Sequence, residues 1–193
     1  MRLAARLATT NDDTIFTLHA TPSSNRVAYT WGRRNVGAGD LVLLTETEHH
    51  SNIVPWQLLC SEVGAELAYV PMLDDGTLDL DAYARLLKRG PKLVGVVHVS
   101  NVLGTINPVA DMAAAAHAAG AVILVDGSQA VPQLPVDLAE IDADFYAWTG
   151  HKLYGPTGIL VLHGRRALPQ ALPPFLAVVH LRKPHVSPAP PSP

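Results

Sequence analysis

Six short apolar runs recur along the middle of this chain: Leu41–Glu46, Glu66–Pro71, Lys92–Ser100, Ala121–Asp126, Phe145–Thr149 and Gly158–His163. They are continuous rather than alternating and rich in valine and leucine, which suits strands buried on both faces of a sheet. Helix-like segments separate the early runs. Ser51–Val63 carries Ile53, Trp56, Leu59 and Val63, and Thr77–Lys88 carries Leu78, Leu80, Tyr83, Leu86 and Leu87. Pro108–Ala119 opens on proline and closes at Gly120, the usual asymmetry of a helix. Strands alternating with helices of this length predict βαβ units, and so a three-layer, doubly wound, mostly parallel α/β sheet.

In such sheets ligands bind beyond the carboxyl ends of the strands. The residues that end the runs are therefore the candidate site. They are Glu48, His49, His50, Ser51 and Asn52 after the first; Ser100, Asn101, Leu103, Gly104 and Thr105 after the third; Asp126, Gly127, Ser128 and Gln129 after the fourth; and Thr149, Gly150, His151 and Lys152 after the fifth.

Composition narrows the function. A net charge of −3 leaves no basic footprint for nucleic acid. No apolar run is long enough to span a bilayer, and no signal peptide is visible, so a cytoplasmic, non-membrane protein is expected. Met1–Thr10 reads as a fragment of amphipathic helix, with a transit-peptide-like start as the other reading. A single cysteine, Cys60, excludes an internal disulfide and any all-cysteine metal site. It lies inside a helix beside Leu58 and Leu59 and reads as a buried core thiol. Eight of the 16 prolines fall at or beyond position 169, and from Pro184 the chain reads as polyproline-like or disordered.

Lys152 sits in GHKLYGPTG, between glycines that permit close backbone approach. A lysine at the end of a buried strand is partly desolvated, which makes its amine easier to deprotonate and able to condense with a carbonyl. Asp126 closes an otherwise apolar strand, where a carboxylate is costly without a cationic partner; it reads as a helix N-cap, a metal ligand, a loop salt bridge or the partner of a pyridinium nitrogen. Gln129 lies near enough to address the same ligand. His49 and His50 send their rings to opposite sides, so one of them faces it. A metal site built from either histidine with His98, His151 and Asp126 has no HxH or HExxH spacing behind it. GxGxxG, GxxxxGK[ST] and GxSxG are all absent.

EHHSNIVPWQ, HVSNVLGTINP, VDGSQAVPQLPVD and DFYAWTGHKLYGPTGI together resemble the cysteine desulfurases of the class V aminotransferase group, most of all the SufS-type branch, from about Tyr29 to Pro174. The resemblance implies the large domain of a fold-type I pyridoxal-phosphate enzyme. By it, Lys152 matches the lysine that holds pyridoxal 5'-phosphate and moves the substrate's α-proton. Asp126 matches the partner of the pyridine nitrogen, and Gln129 the donor to the ring's phenolic oxygen. His50 matches the histidine that stacks on the ring and is a candidate proton shuttle, and Asn101 the asparagine near the ring oxygen and the substrate carboxylate. Thr149 and His151 match phosphate contacts. The implied reaction takes L-cysteine to L-alanine and a persulfide, supplies sulfur for iron–sulfur clusters through an acceptor protein, and is run by a homodimer. A selenocysteine lyase or another class V lyase or aminotransferase is the nearest alternative. A non-catalytic cofactor-binding or structural remnant is the other.

The chain departs from the family pattern in three places. The phosphate loop reads His19, Ala20, Thr21, Pro22, Ser23, in which Thr21 alone keeps a hydroxyl in register. After Pro173, Pro174 and Phe175 the likeness stops. The small domain, with its persulfide cysteine and its carboxylate-binding arginine, has no counterpart. The expected organisation is an N-terminal helical fragment or tail over 1–13, the cofactor-binding large domain over 14–176, and a divergent proline-rich tail over 177–193. Impaired activity of the isolated chain is expected.

Overall fold

A computed structural model describes residues 14–18, 23–155 and 159–164. The 1–13 segment, the 177–193 tail and Thr21 lie outside the described residues.

Seven strands form one sheet. They are β1 (Thr14–Leu18), β2 (Leu41–Thr45), β3 (Glu66–Val70), β4 (Leu93–Val97), β5 (Val122–Asp126), β6 (Phe145–Thr149) and β7 (Ile159–Gly164), in the spatial order β1-β7-β6-β5-β4-β2-β3. The pairs from β3 through β2, β4 and β5 to β6 are parallel. β7 runs antiparallel to both β6 and β1. Only residues 150–158 join β6 to β7, too few for the crossover that a parallel neighbour requires.

The first helical stretch, α1, is α-helical over Ser23–Val27, π-helical over Ala28–Gly32 and α-helical again over Arg33–Asn35. Then follow α2 (His50–Val63), α3 (Leu80–Leu87), α4 (Val109–Ala118), α5 (Ala130–Gln133) and α6 (Leu138–Ile141). Successive strand residues face opposite sides, and two cores result. On one face Trp31, Trp56 and Leu59 pack on Val42, Leu44, Leu93, Leu124 and Phe145. On the other Tyr83, Met112, Ala113, Val131 and Leu138 pack on Leu43, Val94, Val96, Ile123, Val125 and Tyr146. The architecture is the expected three-layer α/β sheet. β2 and β4 are buried throughout, whereas β3, the edge strand, is buried only at Val70.

The Thr77–Lys88 helix begins later than its pattern suggests. Thr77 is held to the Asp75 carboxylate by its amide at 2.9 Å and its hydroxyl at 2.6 Å, and Leu78 forms a bridge to Met72. The helix starts where Asp79 accepts the Ala82 amide at 2.7 Å. Asp79→Ala should cost about 1 kcal/mol, the usual loss for an N-cap carboxylate. A urea midpoint unchanged from the parent would show that the cap contributes nothing.

The connections locate the site. From β2 the chain moves outward to the edge strand β3 and then crosses back past β2 to β4. The chains leaving β2 and β4 therefore diverge, and a crevice opens at their carboxyl ends, where ligands of doubly wound sheets bind.

Candidate active site

At that crevice lies an open cavity of about 200 Å³ lined by His49, Ser51, Val97, Val99, Asn101, Asp126, Ser128, Gln129, Thr149, His151 and Lys152. Four strand ends supply it: the loops after β2, β4, β5 and β6. Of the residues singled out from the sequence, Lys152, Asp126, Gln129, Asn101, Thr149 and His151 are brought together here.

Asp126 ends β5 in register with Val97 of β4, and is 8% exposed. Its Oδ1 accepts the Ser128 amide at 2.9 Å, which fixes the carboxylate and makes the strand end a turn. Gly127 follows, and its amide donates to the Ala147 carbonyl at 2.8 Å. Gln129 precedes α5, and its Oε1 lies 3.4 Å from Gln133 Nε2.

Lys152 sits in a 3₁₀ turn, Gly150–Leu153, which follows β6 directly. The turn closes at Tyr154 with φ 58°, and the Gly155 amide donates to the Gly150 carbonyl at 3.0 Å. A side chain at Gly155 would come within 2.9 Å of that carbonyl, and one at Gly150 within 3.1 Å of Ile159. The two glycines thus do what the sequence implied: they let the backbone close tightly beneath the lysine.

Of the two adjacent histidines, His49 is the one among the residues that line the cavity. His49 is the last extended residue before α2 (φ −71°, ψ 144°) and caps the helix, its Nδ1 accepting the Ser51 amide at 3.2 Å with the Ser51 hydroxyl at 2.8 Å. His50 is already the first helical residue, and its ring stands 85° from that of His49 with centroids 6.2 Å apart. The helix begins one residue earlier than its pattern predicts.

A smaller recess of about 30 Å³ adjoins the cavity, sharing Ser51, Asp126, Ser128 and Thr149 and adding Ser24 of α1. Thr149 Oγ1 is buried there with no hydrogen-bond partner. A buried hydroxyl without a partner is costly, and an anionic group in the recess would satisfy it. Ser51 and Ser128 stand among the residues that end the apolar runs, but neither they nor Ser24 carried a role from the sequence, because lone serines carry no spacing signal.

Glu48 also carried no sequence-based role. It is 8% exposed and accepts three hydrogen bonds: from the Thr45 hydroxyl at 2.6 Å, the Val97 amide at 2.6 Å and Asn52 Nδ2 at 2.7 Å. Burial pushes its carboxyl up to about 7; the Thr45 and Asn52 bonds pull it down, the charge of Asp126 pushes it up, and the Val97 bond pulls it down. Cys60, a residue of α2, is buried in the core, its Sγ 3.9 Å from the Glu66 carbonyl, and burial raises its thiol. It does not line the cavity. Among the described residues no three of His, Cys, Asp and Glu converge as metal ligands would, and no helix is long and apolar enough to cross a membrane.

A sheet of this order, with a lysine, a buried carboxylate and amide and hydroxyl donors at its switch point, is the kind that class V aminotransferases use. The family profile described as aminotransferase class-V matches residues 3–184, and the chain belongs to that family, whose members are pyridoxal-phosphate enzymes. Within it the chain is similar to cysteine desulfurases. It is 50% identical over 165 residues to a probable cysteine desulfurase of Halobacterium salinarum, covering 86% of this chain and 40% of that protein. It is 50% identical over 164 residues to a cysteine desulfurase of Escherichia coli strain K12, covering 85% and 40%. Among solved structures, the cysteine desulfurase CsdA of Escherichia coli superposes with a TM-score of 0.86 at 35% identity, over 91% of this chain and 44% of that one. The apo cysteine desulfurase of Thermococcus onnurineus NA1 gives 0.84 at 36%, over 90% and 43%. The chain spans about 40% of the length of the curated relatives it matches.

Proposed function

We propose that this chain forms the pyridoxal-phosphate-binding domain of a cysteine desulfurase-like enzyme. One observation carries the reading: Lys152, Asp126, Gln129, Asn101 and His49 meet on one cavity whose adjoining recess holds an unsatisfied Thr149 hydroxyl. The residues present suit that cofactor. Asp126 presents a carboxyl group at a buried strand end, placed to pair with a ring nitrogen. Lys152 is the amine for its aldehyde. His49 offers a flat ring at the cavity wall, and Gln129 and Asn101 offer amide donors. Thr149, His151 and the hydroxyls of Ser24 and Ser128 offer partners for its phosphate, with Thr21 expected to join them.

When bound, the cofactor supplies an electron sink for a carbanion beside an amine. The chain's own groups do the rest. Lys152 would supply the amine that holds the cofactor and, through its Nζ, the base for the substrate's α-proton. Asp126 would pair with the ring nitrogen, and Asn101 would orient the substrate carboxylate. The substrate proposed is L-cysteine, giving L-alanine with the sulfur passed to a thiol, and a second copy of the chain and a sulfur-acceptor protein are the proposed partners. Cys60 supports a further restriction: a buried thiol away from the cavity is not placed to take that sulfur. The domain supplies cofactor chemistry, and the sulfur-carrying thiol comes from elsewhere.

The test is spectroscopic. Purified chain mixed with pyridoxal phosphate should develop the visible absorption of lysine-bound cofactor, and Lys152→Ala should abolish it. An absence of that absorption in the parent chain would sink the binding claim. Alanine release from cysteine that Cys60→Ser abolishes would overturn the assignment of Cys60 as inert.

A further inference from the structure

β2 and β4 are neighbours only through Val42↔Leu93, Leu43↔Val94 and Leu44↔Gly95. Beyond that point β2 leaves: the Glu46 amide turns to the edge strand, donating to the Val70 carbonyl at 3.1 Å. The Val97 amide, two residues past the last pair on β4, would then face an opening crevice with no strand beside it. A buried amide in that position needs an acceptor. Glu48 provides it, Oε1 lying 2.6 Å from the Val97 nitrogen. The same Oε1 accepts the Thr45 hydroxyl, on the last residue of β2. The other oxygen accepts Asn52 Nδ2 from the first turn of α2. One buried carboxylate thus joins β2, β4 and α2 at the floor of the cavity.

Its neighbours are the site. His49 follows it in the chain. Val97, which it holds, lines the cavity and pairs in register with Asp126. We propose that Glu48 is a positioning residue: its carboxylate continues the β2–β4 ladder across the crevice and so fixes His49 and Asp126 relative to each other. The staple stands on the hydrogen bonds above; what His49 and Asp126 hold rests on the pyridoxal-phosphate reading. Glu48 does not line the cavity, so it acts through those two residues.

Two readouts test this, and they fail separately. The first needs no cofactor. In the unloaded chain, Glu48→Ala should speed hydrogen exchange of the Val97 amide by about tenfold or more, as loss of a charge-assisted bond implies. Glu48→Gln, whose amide oxygen can still accept from Val97 once Asn52 flips its own amide and gives up the long 3.4 Å bond from Trp56 Nε1 to its Oδ1, should stay within about threefold of the parent. The second readout is the dissociation constant for pyridoxal phosphate. It should rise about tenfold in Glu48→Ala and return toward the parent value in Glu48→Gln. Asp144→Asn is the control, since Asp144 accepts the Ile123 amide and pairs with His117 at the start of β5, the end of the strand opposite Asp126. It should lower stability and leave cofactor affinity alone. If Glu48→Ala fails to fold, Glu48→Asp, too short to span Val97 and Asn52 together, takes its place. A Val97 amide equally protected with and without the carboxylate would overturn the staple. Exchange that responds to Glu48 in a chain that binds no cofactor would keep the staple and overturn the cofactor reading instead.

Discussion

Gly127→Ala should cost this fold roughly 3 kcal/mol or more, the upper end of what overpacking a rigid core produces. A Cβ on Gly127 would sit inside contact distance of Cε1, Cζ and Oη of Tyr146. Neither side of that clash can give. Gly127 is pinned by its amide bond to the Ala147 carbonyl, and it joins Asp126 to the turn that holds its carboxylate. Tyr146 is fully buried, its hydroxyl lies 2.9 Å from His98 Nδ1, and its ring packs 6.1 Å from both His98 and Trp148. Relief would have to come from the backbone at Asp126. The substitution should therefore damage cofactor binding as well as stability. Gly95→Ala makes the contrast: its Cβ would meet Leu44 Cδ2 at 2.5 Å, the far end of a flexible side chain, and the cost should be visibly smaller. Urea midpoints of the two variants check this. A Gly127→Ala chain within about 1 kcal/mol of the parent would mean that Tyr146 has room to move.

Gly127 also shows where a sequence is informative and where it is silent. That the chain folds as strands and helices in alternation follows from runs such as Val122–Val125, since parallel strands covered on both faces must be apolar throughout. That Asp126 and Lys152 would meet follows too, because both close such runs and the carboxyl ends of the strands share one edge. The reason Gly127 must be glycine is invisible, because Tyr146 lies on another strand, and nothing local records that its ring occupies the space. β1 escaped for a related reason: Thr14–Leu18 is short, has threonine at two of its five positions, and gains its place only by pairing with β7 at the far end of the described chain. The antiparallel turn of β7 was countable from the short link after Thr149. His49 and His50 were separable only by the exact start of α2, the kind of boundary that local pattern places least well. Glu48 falls among the residues that close the first apolar run, but its role was hidden most completely. An acidic residue ahead of a helix ordinarily reads as a solvated first-turn carboxylate, and only the divergence of β2 from β4 turns it inward.

That inward turn gives Glu48 the second large effect. Burial and the nearby Asp126 charge hold its carboxyl near 7, above its ordinary 4.5, despite the opposing pull of three donors. A carboxyl whose pKa is raised by folding favours the native state in its protonated form. Its contribution is complete below about pH 4.5 and is lost as pH rises through about 7. Over that window the parent chain should lose about 3 kcal/mol relative to a chain with a permanently neutral group at this position. Glu48→Gln is that chain. Plotted against pH, the stability difference between variant and parent should therefore climb by about 3 kcal/mol in favour of the variant between about pH 4.5 and pH 8, and level off beyond. Denaturant melts of both chains across that range measure the difference directly. Parallel curves would mean that the three hydrogen bonds keep Glu48 ionised throughout, and that the crevice between β2 and β4 is held by a full charge rather than by a group that shares its proton with the pH of the surroundings.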